Sequence, residues 1–228
     1  MRHLALFLTL ALGALPAQAG AASQCYGSVS NGRLEGGVKL PAGGANFSAY
    51  SALAAAAGRT YVHSEVAAIL TTAYAALAAA SPSTTYVYGE TGGPDGGRFR
   101  PHKTHQNGLS VDFFVPVRNG EGRSAALPTS PLNRFGYDIE FDAQARYQDY
   151  RIDFSAIAEH LYQLHAAAKA RGAGITQVIF DTAYLPALLA TPRGPYLKRH
   201  LTFMKRRPWV RHDEHYHVDF AVACKAQR

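Results

Sequence analysis

Two segments of the chain repeat apolar residues at the spacing of an amphipathic helix. Ser64 offers an N-cap for the first, and Ser81-Pro82 ends it. Its apolar residues recur every three or four positions among many alanines: Val66, Leu70, Ala73 and Leu77. Asp153 offers a cap for the second, which runs to Gly172. Its apolar residues form one stripe: Phe154, Ile157, Leu161, Leu164 and Ala168. We expect two helices that pack on the core.

Other segments have the composition or the alternation of β-strands. Residues 84–88 and 175–180 are rich in β-branched and aromatic side chains. Between residues 109 and 115, Leu and Val alternate with other residues, so Asp112 lies on the face opposite the Leu/Val row. Residues 215–222 place Tyr, Val, Phe and Val on one side, and His215, His217 and Asp219 on the other. The pattern predicts an α+β fold, in which a small, mainly antiparallel sheet carries the chemistry and helices flank it.

Three further segments are harder to interpret. Residues 25–44 are rich in glycine and predict an ordered, turn-like lead. Residues 118–153 lack sustained periodicity and predict either a long loop or a hairpin over the site. After Pro195, a basic helix is expected, with Leu197, Leu201 and Met204 facing inward. Its outward residues are basic: Lys198, Arg199, Lys205, Arg206 and Arg207.

The amino terminus has the pattern of a secretory signal peptide. Arg2 and His3 precede an apolar run over residues 4–15, and the small-residue triplet Ala17-Gln18-Ala19 follows. We therefore expect residues 1–19 to be removed and residues 20–228 to form one exported, periplasmic domain. The apolar run is too short to cross a bilayer as a helix, so no integral membrane segment is expected.

The net charge indicates which partners the protein can bind, and the two cysteines indicate a disulfide. The chain has 23 Lys+Arg against 16 Asp+Glu, a formal charge of +7. A basic exported protein suits an anionic cell wall, whereas nucleic acid is disfavoured because no recognition motif is present. In an oxidising compartment Cys25 and Cys224 are expected to pair, the alternative being two buried free thiols.

Candidate chemistry concentrates in two histidine clusters. The first is His102-x-x-His105 with Asp112 seven residues later, and the second is His212-x-x-His215-x-His217. Imidazole nitrogens and a carboxylate oxygen are ligands that Zn²⁺ prefers. If the strand of Asp112 lies beside the last strand, then His105, Asp112 and His217 surround one ion. His215 is then left for acid–base work.

Alternative chemistries find less support in the sequence. A closed, structural zinc site remains the competing interpretation of the clusters. The isolated histidines are interpreted as structural: His63, His160, His165 and His200. No lysine has a serine three residues before it, so the acyl-serine route of penicillin-binding proteins lacks its nucleophile. This absence predicts insensitivity to penicillin.

The motifs resemble those of the penicillin-insensitive murein endopeptidases, within the wider group of lysostaphin-like, D-Ala-D-Ala and hedgehog-related metalloproteins. The similar segments are Gly96-Gly97-Arg98-Phe99, the two histidine clusters and Arg207-Pro208-Trp209. The resemblance implies that His105, Asp112 and His217 bind zinc, that His102 is an additional histidine able to complete the sphere, and that His215 and His212 are active-site histidines. The family's larger disulfide set does not carry over, since only two cysteines are present, and residues 118–151 match poorly.

The implied activity is zinc-dependent D,D-endopeptidase cleavage of the D-alanyl to diaminopimelyl amide in peptidoglycan cross-links. Related activities of the same group stay open: a D,D-carboxypeptidase or an L,D-endopeptidase. A non-catalytic, zinc-containing wall-binding module is a further alternative. A second histidine beside the ligands favours the enzyme.

Overall fold

The computed structural model describes residues 22–206, 208 and 210–227. The predicted signal peptide, Arg207 and Trp209 lie outside these residues. The strands are β1 (Gln24–Ser28), β2 (Asn31–Glu35), β3 (Val38–Lys39), β4 (Phe47–Ala49), β5 (Tyr61–Val62), β6 (Tyr86–Tyr88), β7 (Ser110–Phe114), β8 (Val117–Arg118), β9 (Ser124–Ala125), β10 (Arg146–Tyr147), β11 (Tyr150–Ile152), β12 (Gly174–Ile179) and β13 (His215–Ala221). The helices are α1 (Ala52–Ala56), α2 (Ser64–Ala80), α3 (Phe154–Ala170), α4 (Leu185–Leu189) and α5 (Gly194–His200), with a 3₁₀ segment at Pro131–Gly136. Within the described part of the chain, no helix is long and apolar enough to cross a membrane.

A five-stranded sheet in the order β12-β13-β7-β6-β4 forms the centre. Its pairs are antiparallel except β4 with β6, which is parallel. Smaller sheets join β10-β11-β8-β9, β1-β2 and β3-β5. The predicted α+β class with a mainly antiparallel sheet is confirmed.

Helices α2 and α3 pack on each other and cover one face of the central sheet. Phe113 of β7 and Tyr216 of β13 point to this face, where their rings meet the ring of His160 on α3. Both helices were expected, but the cap of α2 was assigned wrongly: His63 is the N-cap, and its Nδ1 accepts a hydrogen bond from the Glu65 backbone N–H. Asp153 caps α3 as expected by accepting from the Ala156 N–H.

The glycine-rich lead contains the hairpin β1-β2 rather than turns alone. Residues 118–153, expected to form a long loop or a hairpin over the site, hold the 3₁₀ segment and the β10-β11 hairpin, which extends a sheet through β8.

The basic helix, α5, is shorter than expected and ends at His200. Leu201 is extended, and Phe203 forms a parallel bridge with Val178 at the edge of β12. Met204 therefore lies outside the helix, because hydrogen bonding to the sheet edge replaces another helical turn.

The disulfide between Cys25 and Cys224 is present, as predicted. It joins residues 199 positions apart, next to Lys225, whose carbonyl oxygen accepts from the Gly27 N–H and whose N–H donates to the Cys25 carbonyl oxygen. Closing so long a loop restricts the unfolded chain and stabilises the fold by up to about 5 kcal/mol in the chain-entropy model.

Candidate metal centre

The two histidine clusters meet because β13 and β7 are antiparallel neighbours. His217 lies directly opposite Asp112 in the register, and Asp219 lies opposite Ser110. With side chains alternating along each strand, these four residues share the face turned away from the helices. All four are buried. The convergence of distant segments on Asp112, which the sequence analysis required, is thus present.

His105 reaches the same carboxylate from the turn before β7. Its backbone has a φ of 67°, and its Nε2 lies 3.3 Å from Asp112 Oδ1. Its Nδ1 lies 3.1 Å from the carbonyl oxygen of Thr91, which accepts hydrogen bonds only, so Nδ1 carries the proton. Burial lowers the pKa of His105, which favours the neutral ring.

As a result, two hydrogen-bond acceptors face each other, His105 Nε2 and Asp112 Oδ1. The unprotonated Nε2 of His105 is buried, has no hydrogen-bond partner among the described residues, and points at a carboxylate oxygen. A cation between the two atoms would satisfy both. Imidazole nitrogen and carboxylate oxygen are suitable donors for Zn²⁺, so the residues fit a metal of that type.

His217 adds a third donor atom. Its Nδ1 lies 2.9 Å from Asp112 Oδ1, and its Nε2 lies 2.7 Å from Asp219 Oδ1. Burial alone lowers the pKa of His217, but the carboxylates of Asp219 and Asp112 outweigh burial and raise it to about 10.

His102 completes a compact group of donors with His105 and Asp112, whose ligand atoms all lie within 4.8 Å of one another. Its Nδ1 is 3.8 Å from Asp112 Oδ2, and its Nε2 contacts the carboxylate of Glu90. Burial raises the pKa of Glu90, but hydrogen bonds from His102 and Arg59 outweigh this and lower it to about 2. Glu90 is therefore a carboxylate, and it holds the His102 ring in place.

The remaining histidines of the second cluster lie beside this group. His215 Nε2 is 3.9 Å from Asp112 Oδ2, and the rings of His212 and His215 are 4.5 Å apart. Burial lowers the pKa of His215 to about 4 and that of His212 to about 3. His215 Nδ1 bonds Glu214 Oε1 at 2.6 Å, and burial raises the pKa of Glu214 well above its usual value. Glu214 and His215 therefore form a buried, hydrogen-bonded pair beside Asp112.

The isolated histidines lie away from Asp112. His63 caps α2, and His160 contacts the Tyr216 hydroxyl on the helix side of the sheet. The rings of His165 and His200 stack on each other, and both contact the ring of Tyr196 at an angle.

Tyr137 was missed by the sequence analysis. Its hydroxyl donates to Asp112 Oδ2 at 3.0 Å and accepts from the Glu90 backbone N–H at 2.9 Å. No periodicity marks the segment of Tyr137, so the sequence carries no signal for this contact. Glu90 and Glu214 were also missed, although Glu214 stands next to His215 in the chain.

A cleft of about 1000 Å³ opens over these residues. His102, His212, His215 and His217 line its floor, and Tyr137 lines its side. Its rim carries four arginines: Arg59, Arg100, Arg134 and Arg211. Arg59 pairs with Glu90, Arg211 with Asp213 and Arg134 with Asp138, and Arg100 is exposed. The arrangement can admit an extended polar ligand to a group of metal-type donors.

The sequence profile of the penicillin-insensitive murein endopeptidases matches residues 25–228. The chain belongs to this family. The match includes every residue named in the site and both cysteines. Among curated proteins, none matches the sequence. Family membership implies an enzyme that acts on peptidoglycan, and the donor group around Asp112 is consistent with a metal-dependent one.

Proposed function

We propose that the protein is a zinc-dependent D,D-endopeptidase that hydrolyses D-alanyl to diaminopimelyl cross-links in peptidoglycan. The family supports the substrate class, and the donor group supports the metal. The observation that carries the proposal is the buried, unpartnered Nε2 of His105, which faces Asp112 Oδ1 beneath an open cleft.

The donor atoms that would hold the ion are His105 Nε2, Asp112 Oδ1 and His217 Nδ1. His102 is the candidate for an additional ligand, because its Nδ1 faces the other oxygen of Asp112. When bound, zinc polarises the scissile carbonyl and lowers the pKa of water toward about 7. Tyr137 orients Asp112 by donating to Oδ2, which leaves Oδ1 directed at the two imidazoles.

His215 is the proposed acid–base residue. Its ring lines the cleft, and Glu214 holds its Nδ1. His215 Nε2 takes the proton released when water adds to the scissile carbonyl, and it returns that proton to the amine nitrogen as the C–N bond breaks. His212 packs against His215 and limits the rotation of its ring.

The proposed location is the periplasm. The predicted signal peptide directs export, and the Cys25–Cys224 disulfide suits an oxidising compartment. The net charge of +7 favours encounter with an anionic wall.

Muropeptide chromatography tests the activity. Zinc-loaded protein should convert cross-linked dimeric muropeptides to monomers, and a chelator should stop the conversion until zinc is restored. Mass analysis of the products separates D,D-endopeptidase cleavage from L,D cleavage and from removal of a terminal D-alanine. Intact dimers after prolonged incubation would refute the proposal.

The variant His215→Ala distinguishes an enzyme from a wall-binding module. It should keep its zinc and its binding to sacculi while losing conversion of dimers. If wild-type protein binds sacculi with a full complement of zinc and releases no peptide, the binding module is the better interpretation.

A further inference from the structure

We infer that Asp219 and Ser110 are positioning residues, which hold His217 and His105 in the arrangement that binds the metal. The inference rests on the proposed function, because it concerns the same ion. Neither residue reaches the cleft lining, so they act only through the two histidines.

Asp219 determines which nitrogen of His217 is available. It is only 4% exposed, and its Oδ1 lies 2.7 Å from His217 Nε2 and 2.6 Å from Ser110 Oγ. A carboxylate accepts hydrogen bonds and does not donate them, so His217 Nε2 carries a proton. In a neutral ring the lone pair then lies on Nδ1, which faces Asp112 Oδ1.

Ser110 links Asp219 to His105. The hydroxyl has one hydrogen, which it donates to Asp219, and its lone pairs are left to accept. The backbone N–H of His105 donates to Ser110 Oγ at 3.3 Å. One buried chain of hydrogen bonds therefore runs from His217 through Asp219 and Ser110 to His105.

These hydrogen bonds matter most at His105, because the backbone conformation of His105 is unfavourable by itself. A φ of 67° is sparsely populated by residues other than glycine, and surrounding contacts must hold it. The bonds from His105 N–H to Ser110 and from its Nδ1 to Thr91 provide two such contacts. Asp219 also makes His217 more basic, as carboxylates behind metal-bound histidines do.

If Asp219 served only the stability of the fold, its substitution would leave the metal affinity unchanged. Without a metal, His217 would be an imidazolium ion between Asp219 and Asp112, and Asp219 would serve stability alone. Metal affinity separates the two roles, whereas activity by itself does not.

The test measures Zn²⁺ affinity by competition with a chromogenic chelator, together with the visible absorption spectrum of the Co²⁺-substituted protein. Asp219→Ala should weaken Zn²⁺ binding by about 10- to 100-fold and alter the Co²⁺ spectrum. Asp219→Asn keeps the size of the side chain and should weaken binding by about 10-fold. Ser110→Ala should weaken it by a smaller factor, and the loss in the double variant should be less than the product of the two single losses.

Asp153→Ala is the matched control. It removes the partly buried cap hydrogen bond at the start of α3 and the ion pair with Arg118, both made by residues outside the donor group, and should lower thermal stability without changing the Zn²⁺ affinity. If Asp219→Ala does not fold, Asp219→Asn and Ser110→Ala decide the question.

The outcomes separate the inference from the proposed function. Wild-type protein that binds no Zn²⁺ would overturn both. Wild-type protein that binds Zn²⁺ and cleaves muropeptides, with unchanged affinity and Co²⁺ spectrum in Asp219→Asn and Ser110→Ala, would overturn the inference alone. Retention of affinity in His217→Ala would remove His217 from the proposed ligand set and would also overturn the inference.

Discussion

The two faces of strand β13 each bury a histidine, and the two rings have opposite ionisation behaviour. His160 contacts Tyr216 on the helix side and is 1% exposed, while His217 on the site side is 2% exposed. Burial lowers the pKa of His160 to about 3, because no carboxylate offsets it. The pKa of His217 is raised to about 10 by Asp219 and Asp112. In the metal-free protein, equal burial therefore leads to opposite charge states when the neighbouring charges differ.

The helix face supplies the packing that the site face lacks. Val111, Phe113, Tyr216 and Val218 are buried against α2 and α3. The site face instead buries carboxylates and imidazoles, whose desolvation costs stability unless a partner or a cation compensates. Changes on the helix face should therefore affect stability, and changes on the site face should affect metal binding and activity.

The largest expected effect is on the site face. His217→Ala removes a proposed ligand and should lower the rate of muropeptide cleavage by at least about 10³-fold, equivalent to about 4 kcal/mol. The measurements are the initial rate and the zinc content after dialysis. A variant that keeps both its zinc and its rate would remove His217 from the ligand set.

The next effect concerns packing on the helix face. Leu161 is fully buried on α3, and Leu161→Ala should lower the free energy of unfolding by about 3 kcal/mol by leaving a cavity. Urea denaturation measures the loss. The cleavage rate and zinc content of the folded variant should equal those of the wild type; a large loss of zinc would mean that the two faces are coupled.

The buried His160 should make the free energy of unfolding depend on pH. Because its folded pKa of about 3 is below the unfolded value of 6.5, protonation favours the unfolded chain as the pH falls below 6.5. Protonation of His160 should lower the free energy of unfolding by about 2 kcal/mol between pH 7 and pH 5. His160→Gln cannot titrate, so its free energy of unfolding should fall less than that of the wild type over this range. Parallel curves of unfolding free energy against pH would contradict the assignment.

Tyr137→Phe should have the smallest effect. It removes the hydroxyl that donates to Asp112 and accepts from the Glu90 N–H, while the ring remains. We expect about a tenfold loss of cleavage rate, equivalent to about 1.4 kcal/mol, with retention of zinc. An unchanged rate would show that Asp112 needs no orientation by this hydroxyl.

The sequence predicted the elements whose side chains repeat regularly. Helices α2 and α3 and the strands of Asp112 and His217 follow from periodicity, and the pairing of Cys25 with Cys224 follows from the count of cysteines. The failures share a cause, because tertiary contacts outweighed local preference. His63 rather than Ser64 caps α2, and the edge of β12 ends α5 at His200.

By itself, the sequence determined which donor types are available, His102, His105, Asp112, His215 and His217, and which of them share a strand face. The reason is that side-chain alternation is a local property of the backbone. Only the tertiary structure decided that His217 lies opposite Asp112, that Tyr137 reaches its second oxygen, and that Asp219 and Ser110 lie behind both histidines. Strand register and the path of a loop depend on long-range packing, which no local pattern encodes.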